Sequence, residues 1–171
     1  MNSTTAKYVL LTPTAQAPKR GSEAAAGLDV CADFFGKDGA PRSLFDGRDH
    51  HELTQAETED PFFILKPGHR ILVPLGIAMS TSSDIYPRIA PRSGLALKQG
   101  LEILGGVVDS DYTGEIAAIC KNGDPEHALK LVHGMRIAQL ILTYASLENP
   151  IEVVALDEHQ RGSGGFGSTG V

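Results

Sequence analysis

Residues 105–115 carry the chemical groups best suited to binding a small polar ligand. The stretch opens with Gly105 and Gly106 and continues to Asp109 and Tyr112. Residues without side chains let a flat ligand reach backbone N–H and C=O groups, and the tyrosine ring offers a face for stacking. This arrangement suits a nucleotide better than a peptide. The alternative is a hairpin with a solvated acidic tip.

Residues 91–98 combine an arginine with a predicted helix start. Ser93 is a favoured N-cap residue, and the leucines and alanine after it favour a helical turn that ends before Gly100. Free N–H groups at a helix start attract anions, and the forked guanidinium of Arg92 matches phosphate. The segment therefore predicts a phosphate cradle, with an ordinary capped surface turn as the alternative.

Residues 161–171 contain five glycines, three hydroxyl residues, one arginine and one phenylalanine. Such a tail cannot fold alone, because it has almost nothing to bury. A mobile arm of this composition could close over a polyphosphate, with Arg161 supplying charge and Phe166 covering a base ring. The alternative is a disordered linker.

Two other polar positions have weaker chemical signals. Asp29 is the one charge in the apolar run 24–32, where it either accepts hydrogen bonds from backbone amides or belongs to a site. The acidic and histidine residues at 49–52 could suggest a metal site. They lack the spacing that places two histidines on one helix face, so a solvated loop is the preferred interpretation.

Short apolar runs separated by turn residues predict that β-strands position these groups. A hairpin is predicted from runs 103–108 and 115–120. The other predicted strands are residues 8–11, 62–65, 70–73, 76–79, 85–90, 128–132, 135–143 and 151–156. With one helical turn, this pattern favours an all-β sandwich or jelly roll.

The chain length of 171 residues and the 42% hydrophobic content indicate one domain. Residues 1–160 are expected to fold, and 161–171 to form a flexible C-terminal arm. Residues 33–60 show neither strand nor helix periodicity, so they are interpreted as a surface loop or insertion.

Charge and cysteine content narrow the function classes. A net charge of −6 argues against a surface that coats nucleic acid, because that function needs dense phosphate neutralisation. The sequence has no apolar run of membrane length and no leader, so a soluble intracellular protein without a membrane partner is expected. Cys31 and Cys120 are interpreted as buried thiols in a reducing compartment.

Five ordered segments give the sequence a family resemblance. They are residues 26–29, 91–94, 106–114, 134–140 and 161–168. In their order and content the chain resembles the trimeric deoxyuridine triphosphatases (dUTPases) from residue 25 to residue 170. The resemblance implies a jelly-roll homotrimer with active sites shared between subunits. It also implies Mg²⁺-dependent hydrolysis of dUTP to dUMP and pyrophosphate, which keeps uracil out of DNA and supplies dUMP for dTMP synthesis.

The resemblance also implies roles for residues of the predicted hairpin. Asp109 matches the acid that activates the water attacking the α-phosphorus. Tyr112 is similar to the residue that packs on the deoxyribose and leaves no room for a 2′-hydroxyl. Gly106 and Val107 match the strand whose backbone reads uracil, and Gln139 resembles a residue that supports this hairpin.

The same carry-over assigns the phosphate and metal groups. Arg92, Ser93 and Gly94 resemble phosphate binders. Asp29 resembles the acid that holds Mg²⁺ through water, which suits an ion that dehydrates reluctantly.

The arm supplies the remaining substrate contacts implied by the resemblance. Arg161 matches the residue on the γ-phosphate, and Phe166 the ring that stacks over uracil. Gly167, Ser168 and Thr169 match further substrate-binding positions.

The chain departs from the family pattern in three places. Leu28 replaces a common tyrosine, Met135 replaces the usual acid before Arg136, and residues 33–60 are longer than in compact members.

Two rival functions are compatible with parts of this pattern. A dCTP deaminase would share the fold, but its chemistry needs an acid–base pair at the ring carbon of cytosine. A non-enzymatic assembly subunit or dUTP-binding regulator would not need both Asp109 and the arm.

Overall fold

The computed structural model describes residues 6–56, 59–159 and 162–163, which form three antiparallel β-sheets and one short helix. The elements are β1 (Lys7–Leu10), β2 (Lys19–Arg20), β3 (Leu28–Cys31), β4 (Leu44–Phe45), β5 (His50–His51), β6 (Thr54–Ala56), β7 (Glu59–Leu65), β8 (Arg70–Ser80), β9 (Ile85–Pro91), α1 (Ser93–Gln99), β10 (Leu101–Leu104), β11 (Ile116–Asn122), β12 (Leu129–Val132) and β13 (Arg136–Tyr144). The prediction of an all-β fold with one helical turn is confirmed.

The largest sheet is organised around the long strand β8. Its order is β10-β11-β8-β4-β5, and β1 also pairs with β8. Two separate strands were expected over residues 70–79, but the structure forms one. A bulge lies at the predicted break, since Ile116 faces Ile77 while the next residue, Ala117, faces Pro74. The extra residues bend the strand without ending it.

The other two sheets place the polar groups. One has the order β12-β7-β6, and the other has the order β2-β3-β13-β9. In the β2-β3-β13-β9 sheet, β13 lies between β3 and β9. Gln139 therefore pairs with Asp29 on one side and with Ala90 on the other. Two polar segments far apart in sequence therefore become neighbours.

One apolar core joins all three sheets. Val30 and Leu140 come from the sheet that contains β13, Val73 and Ile116 from the sheet around β8, and Leu131 from the third. Strand β11 alternates buried and partly exposed residues along its length, as expected of a strand with one face on the core. None of the described helical residues forms a helix long and apolar enough to cross a membrane.

Residues 33–60 are more than a surface loop. The loop interpretation is wrong for Phe34, Leu44 and Leu53, whose side chains belong to the core. Strand β4 pairs with β8, and β6 pairs with β7. Strands β4 and β6 are only two and three residues long, which is too short to show a period in the sequence.

Two smaller predictions also need correction. No strand is present at residues 151–156, where the chain bends at residues 154–155 and the large apolar side chains are exposed. Cys120 is fully buried as expected, and burial raises its pKa to about 12. Cys31 is only partly buried, because it lies on β3 beside the polar groups described below.

Candidate active site

A carboxylate shared by two arginines lies where β3, β13 and β9 meet. Oδ1 of Asp29 accepts a hydrogen bond from Nε of Arg92 at 3.0 Å, and Oδ2 accepts one from a terminal nitrogen of Arg136 at 3.0 Å. Arg92 also donates to the backbone carbonyl of Arg136 at 2.8 Å. These contacts fix the Arg92 guanidinium at the end of β9, because both of its partners belong to one sheet.

A cavity of about 340 Å³ opens beside this arginine. Its lining residues are Arg92, Ser93, Gly94, Leu95, Lys98, Gln99 and Gln139. The structure thus brings together four of the predicted binding residues. Lys98 and Gln99 were not predicted, although their spacing gave a signal. Each lies four residues after another lining residue of α1, so they share its face.

The start of α1 differs from the sequence prediction. Ser93 was expected to be the N-cap, but Arg92 takes that position with an extended backbone, φ −91° and ψ 126°. The Arg92 carbonyl accepts hydrogen bonds from the N–H groups of Leu95 and Ala96. No described side chain caps the helix. The hydroxyl of Ser93 is therefore not used for capping, and Ser93 lines the cavity.

The charge of this region suits an anion. Arg92, Lys98 and Arg136 are cationic, while Asp29 is the carboxylate that orients two of them. Three positive groups against one negative group leave a local excess of positive charge in a chain whose net charge is −6. A phosphate group would meet forked guanidinium donors and an ammonium at one surface.

Gln139 braces the corner that leads from β9 into α1. Its Nε2 donates to the carbonyl of Pro91 at 2.9 Å. A Cβ on Gly27 would lie 2.3 Å from its Oε1, so a side chain there would displace Gln139. Within one chain, Gln139 therefore contacts the corner that carries Arg92. The predicted role of Gln139 in supporting the hairpin at residues 103–120 stays a proposal.

The predicted hairpin is confirmed, with a first strand that ends earlier than expected. β10 pairs with β11 only as far as Leu104 opposite Ile119. Gly105 then takes φ +57°, a left-handed conformation that favours glycine. The chain turns away from β11 there, which explains why the expected strand to residue 108 stops four residues early.

Beyond this turn the backbone is fastened to β9. The carbonyl of Gly106 accepts a hydrogen bond from Ile89 at 2.7 Å, and the N–H of Val108 donates to Pro87 at 3.0 Å. A Cβ on Gly106 would lie 2.0 Å from the Ile89 oxygen, so glycine is required by this close approach. Val107, between the two contacts, is exposed.

The tip of the loop presents the acid and the ring. The Asp109 carbonyl accepts a hydrogen bond from the N–H of Tyr112 at 3.1 Å, which closes a turn. The Tyr112 hydroxyl donates to the carbonyl of Glu115 at 3.0 Å, and a Cβ on Gly114 would lie 2.5 Å from that hydroxyl. The ring is held in place while 47% of Tyr112 stays exposed. Asp109 is also exposed.

The predicted residues thus form two groups attached to one strand. The loop is held at Ile89, and Arg92 follows three residues later, roughly 10 Å along an extended chain. The described lining of the cavity includes no loop residue. Five further predicted positions lie outside the described residues, namely Arg161, Phe166, Gly167, Ser168 and Thr169.

Comparison with known proteins gives one consistent result. A family model described as dUTPase matches residues 60–170. The deoxyuridine 5′-triphosphate nucleotidohydrolase of Paramecium bursaria Chlorella virus 1 is 38% identical over 161 residues, which cover 94% of each chain. The Mus musculus protein of the same name is 36% identical over 164 residues, covering 96% of this chain and 84% of its own.

Solved structures show the same fold. The structure of a mutant dUTPase of Staphylococcus bacteriophage 80alpha with dUpNHpp superposes with a TM-score of 0.75 at 21% identity, covering 98% of this chain and 99% of its own. The dUTPase of phage phi11 of S. aureus gives 0.67 at 17% identity, covering 91% and 99%. This likeness confirms a jelly-roll-like fold, and the described strands form no closed barrel. Together with the sequence relatives, it shows that the chain belongs to the dUTPase family.

Proposed function

We propose that this chain hydrolyses dUTP to dUMP and pyrophosphate. The observation that carries the proposal is the presence of two complementary groups in a chain of the dUTPase family. One group is the cationic cavity around Arg92, which suits a polyphosphate. The other is the loop from Gly106 to Tyr112, whose backbone groups and tyrosine ring suit a base and a sugar.

Arg92, Ser93 and Gly94 are the proposed phosphate-binding residues. Two of the five guanidinium N–H donors of Arg92 bind Asp29 and the Arg136 carbonyl, which leaves donors for phosphate oxygens. Preorganisation by Asp29 means that little side-chain entropy is lost when substrate binds. Lys98 would add charge from the same face of α1.

The loop is the proposed site of base and sugar recognition. Backbone groups at Gly106 and Val107 would pair with the uracil edge, because the bridge to β9 uses the Gly106 carbonyl and the Val108 N–H and leaves the N–H and C=O of Val107 on the other side of the loop. Tyr112 would pack on the deoxyribose and exclude a 2′-hydroxyl. Asp109 would accept the proton of the water that attacks the α-phosphorus, as a positioned carboxylate can.

The arm would complete the site from outside the described residues. Arg161 would bind the γ-phosphate, and Phe166 would cover uracil. Gly167, Ser168 and Thr169 would make further contacts. Closure of such an arm excludes water and strengthens each charged contact inside.

Mg²⁺ is the proposed cofactor, bound mainly by the substrate. Among the described residues no group of three His, Cys, Asp or Glu side chains is arranged to hold a metal ion. Asp29 already accepts from two arginines, so its oxygens fit a metal-bound water better than a direct bond to the ion. When bound, Mg²⁺ would neutralise charge on the triphosphate.

A homotrimer with shared sites is the proposed assembly. Between residues 147 and 156 five apolar side chains are exposed, namely Leu147, Ile151, Val153, Val154 and Leu156. A cluster of exposed apolar side chains is typical of an interface. A closed threefold arrangement would let the segment pack on a neighbouring copy, and it would bring the loop, the cavity and the arm of different chains together.

One incubation separates this function from its rivals. The purified protein with Mg²⁺ is given dUTP or dCTP, and pyrophosphate and ammonia are measured. We expect pyrophosphate from dUTP, little product from dCTP and no ammonia from either. Ammonia from dCTP would indicate a deaminase, and binding of dUTP without turnover would indicate a regulator.

A further inference from the structure

We propose that Arg42 is a positioning residue for the loop that carries Asp109 and Tyr112. It acts through Glu115, the residue that joins this loop to β11. The catalytic part of the proposal rests on the proposed function, while the structural part can be measured without it. Arg42 belongs to residues 33–60, which the sequence had indicated to be a surface loop.

The contact between Arg42 and Glu115 is a two-point interaction. The terminal nitrogens of Arg42 donate to the two carboxylate oxygens of Glu115 at 2.8 and 2.9 Å. The side chains are only 23% and 30% exposed, so solvent screens the pair less than it screens a surface ion pair. A paired fork of this kind fixes orientation as well as distance.

Glu115 connects this pair to the tip of the loop. Its side chain is held by Arg42, while its backbone carbonyl accepts the hydroxyl of Tyr112 at 3.0 Å. The next residue, Ile116, begins β11 and is fully buried. The position of the Tyr112 ring is therefore coupled to a side chain 73 residues before Glu115 in the chain.

The bulge in β8 provides a second donor to Glu115. The N–H of Gly76 donates to Oε1 of Glu115 at 3.1 Å. Gly76 has φ +65°, and a Cβ there would lie 2.2 Å from a carboxylate oxygen of Asp33. Glycine at the bulge thus allows Asp33, Glu115 and the backbone of β8 to approach one another.

Asp33 anchors the arginine from the other side. It is 1% exposed, and its carboxylate accepts hydrogen bonds from the hydroxyls of Thr12 and Thr14 and from the N–H of Phe35. A terminal nitrogen of Arg42 lies 3.7 Å from Asp33. The guanidinium therefore stands between a rigid, buried carboxylate and the carboxylate at the base of the loop.

Loss of the guanidinium has a specific consequence. Asp33 would keep its hydroxyl and amide donors. Among the described residues, Glu115 would keep only the N–H of Gly76, and the guanidinium between the two carboxylates would be lost. We expect Glu115 to rotate toward solvent and the loop to lose its fixed position. A misplacement of about 1 Å can lower turnover roughly 100-fold.

The test combines amide hydrogen exchange with kinetics on the full chain. The variants are Arg42→Gln, Arg42→Lys, Glu115→Gln and the double variant Arg42→Gln/Glu115→Gln. Lys121→Met is the matched control, since Lys121 pairs with Glu102 at 3.0 Å on the far end of the same hairpin. Exchange at residues 105–115, kcat, KM for dUTP and the unfolding midpoint are measured for each.

We expect Arg42→Gln and Glu115→Gln to speed exchange at residues 105–115 and to lower kcat/KM roughly 10- to 100-fold. The double variant should be no worse than either single one, because both break the same contact. Arg42→Lys should recover only part of the loss, since an ammonium cannot form the fork. Lys121→Met should change neither loop exchange nor kcat/KM.

Unchanged exchange at residues 105–115 in both single variants would overturn the proposal. A lower unfolding midpoint with unchanged loop exchange and kinetics would also overturn it, by showing a merely structural role. If Arg42→Gln does not fold, Arg42→Lys and Glu115→Gln decide. If the parent chain does not hydrolyse dUTP, the proposed function fails, and exchange still decides whether Arg42 holds the loop.

Discussion

Gly106→Ala is the substitution whose effect follows most directly from a distance in the structure. The added Cβ would lie 2.0 Å from the Ile89 oxygen, and real Cβ atoms do not approach closer than 3.0 Å. The loop backbone must therefore move by about 1 Å away from β9. That movement strains the 2.7 Å hydrogen bond from Ile89 to the Gly106 carbonyl, a contact worth about 0.5–1.5 kcal/mol.

The kinetic effect should exceed the effect on stability. A displacement of about 1 Å in a positioning element can cost roughly 100-fold in rate, so we expect kcat/KM for dUTP to fall by about that factor. Unfolding should be easier by about 1–3 kcal/mol, typical of overpacking. Steady-state kinetics and chemical denaturation measure the two quantities.

Gly21→Ala is the matched control, because nothing lies within 4 Å of a Cβ at that position. It should leave both quantities close to those of the parent chain. If Gly106→Ala bound and hydrolysed dUTP as the parent does, the close approach of the loop to β9 would not define the base site.

Three further predictions follow from the proposed site and assembly. Asp109→Asn should bind a non-hydrolysable dUTP analogue nearly as the parent does and lose turnover by orders of magnitude, because an amide cannot accept the water's proton; near-parental turnover in a rate assay would exclude Asp109 as the base. Truncation after Gln160 should leave the assembly intact by sedimentation and abolish most turnover, since the arm adds little to the core; normal hydrolysis by the truncated chain would mean that the tail is only a linker. Val154→Asp should shift sedimentation from trimer toward monomer and lower activity with it, because an exposed apolar side chain of the proposed interface becomes charged. An active monomer would contradict the shared-site assembly.

The sequence contained most of the information about the phosphate site. Arg92, Ser93 and Gly94 are adjacent in the chain, so their proximity needs no tertiary knowledge. Their relation to Asp29 required the sheet order, which short strands do not reveal. The expectation that Ser93 caps the helix is wrong because Arg92, held by Asp29, occupies the capping position with an extended backbone.

The predicted hairpin shows where local patterns stop being sufficient. Residues 105–108 are apolar and small enough to continue a strand, yet Gly105 turns the chain onto β9. The competing contact with Ile89 lies on a strand that precedes the hairpin, so only the three-dimensional arrangement reveals it. Propensity favoured a longer strand, and tertiary contacts decided otherwise.

Residues 33–60 show the opposite error. Their polar composition indicated a loop, but Phe34 and Leu44 enter the core and Arg42 binds Glu115. A single buried apolar residue every ten or so positions produces no period, and an ion pair across 73 residues leaves no local trace. At residues 151–156 an apolar run was interpreted as a strand, but these residues form no strand with any other part of the chain that the structure describes.

Hydrolysis of dUTP in water labelled with the heavy oxygen isotope tests the central claim most directly. Mass spectrometry of the products identifies which phosphorus the water attacks. Attack at the α-phosphorus, activated by Asp109, predicts the label in dUMP and none in pyrophosphate. Label in pyrophosphate would contradict the proposed chemistry, and absence of hydrolysis by the folded, Mg²⁺-supplied protein would contradict the proposed function itself.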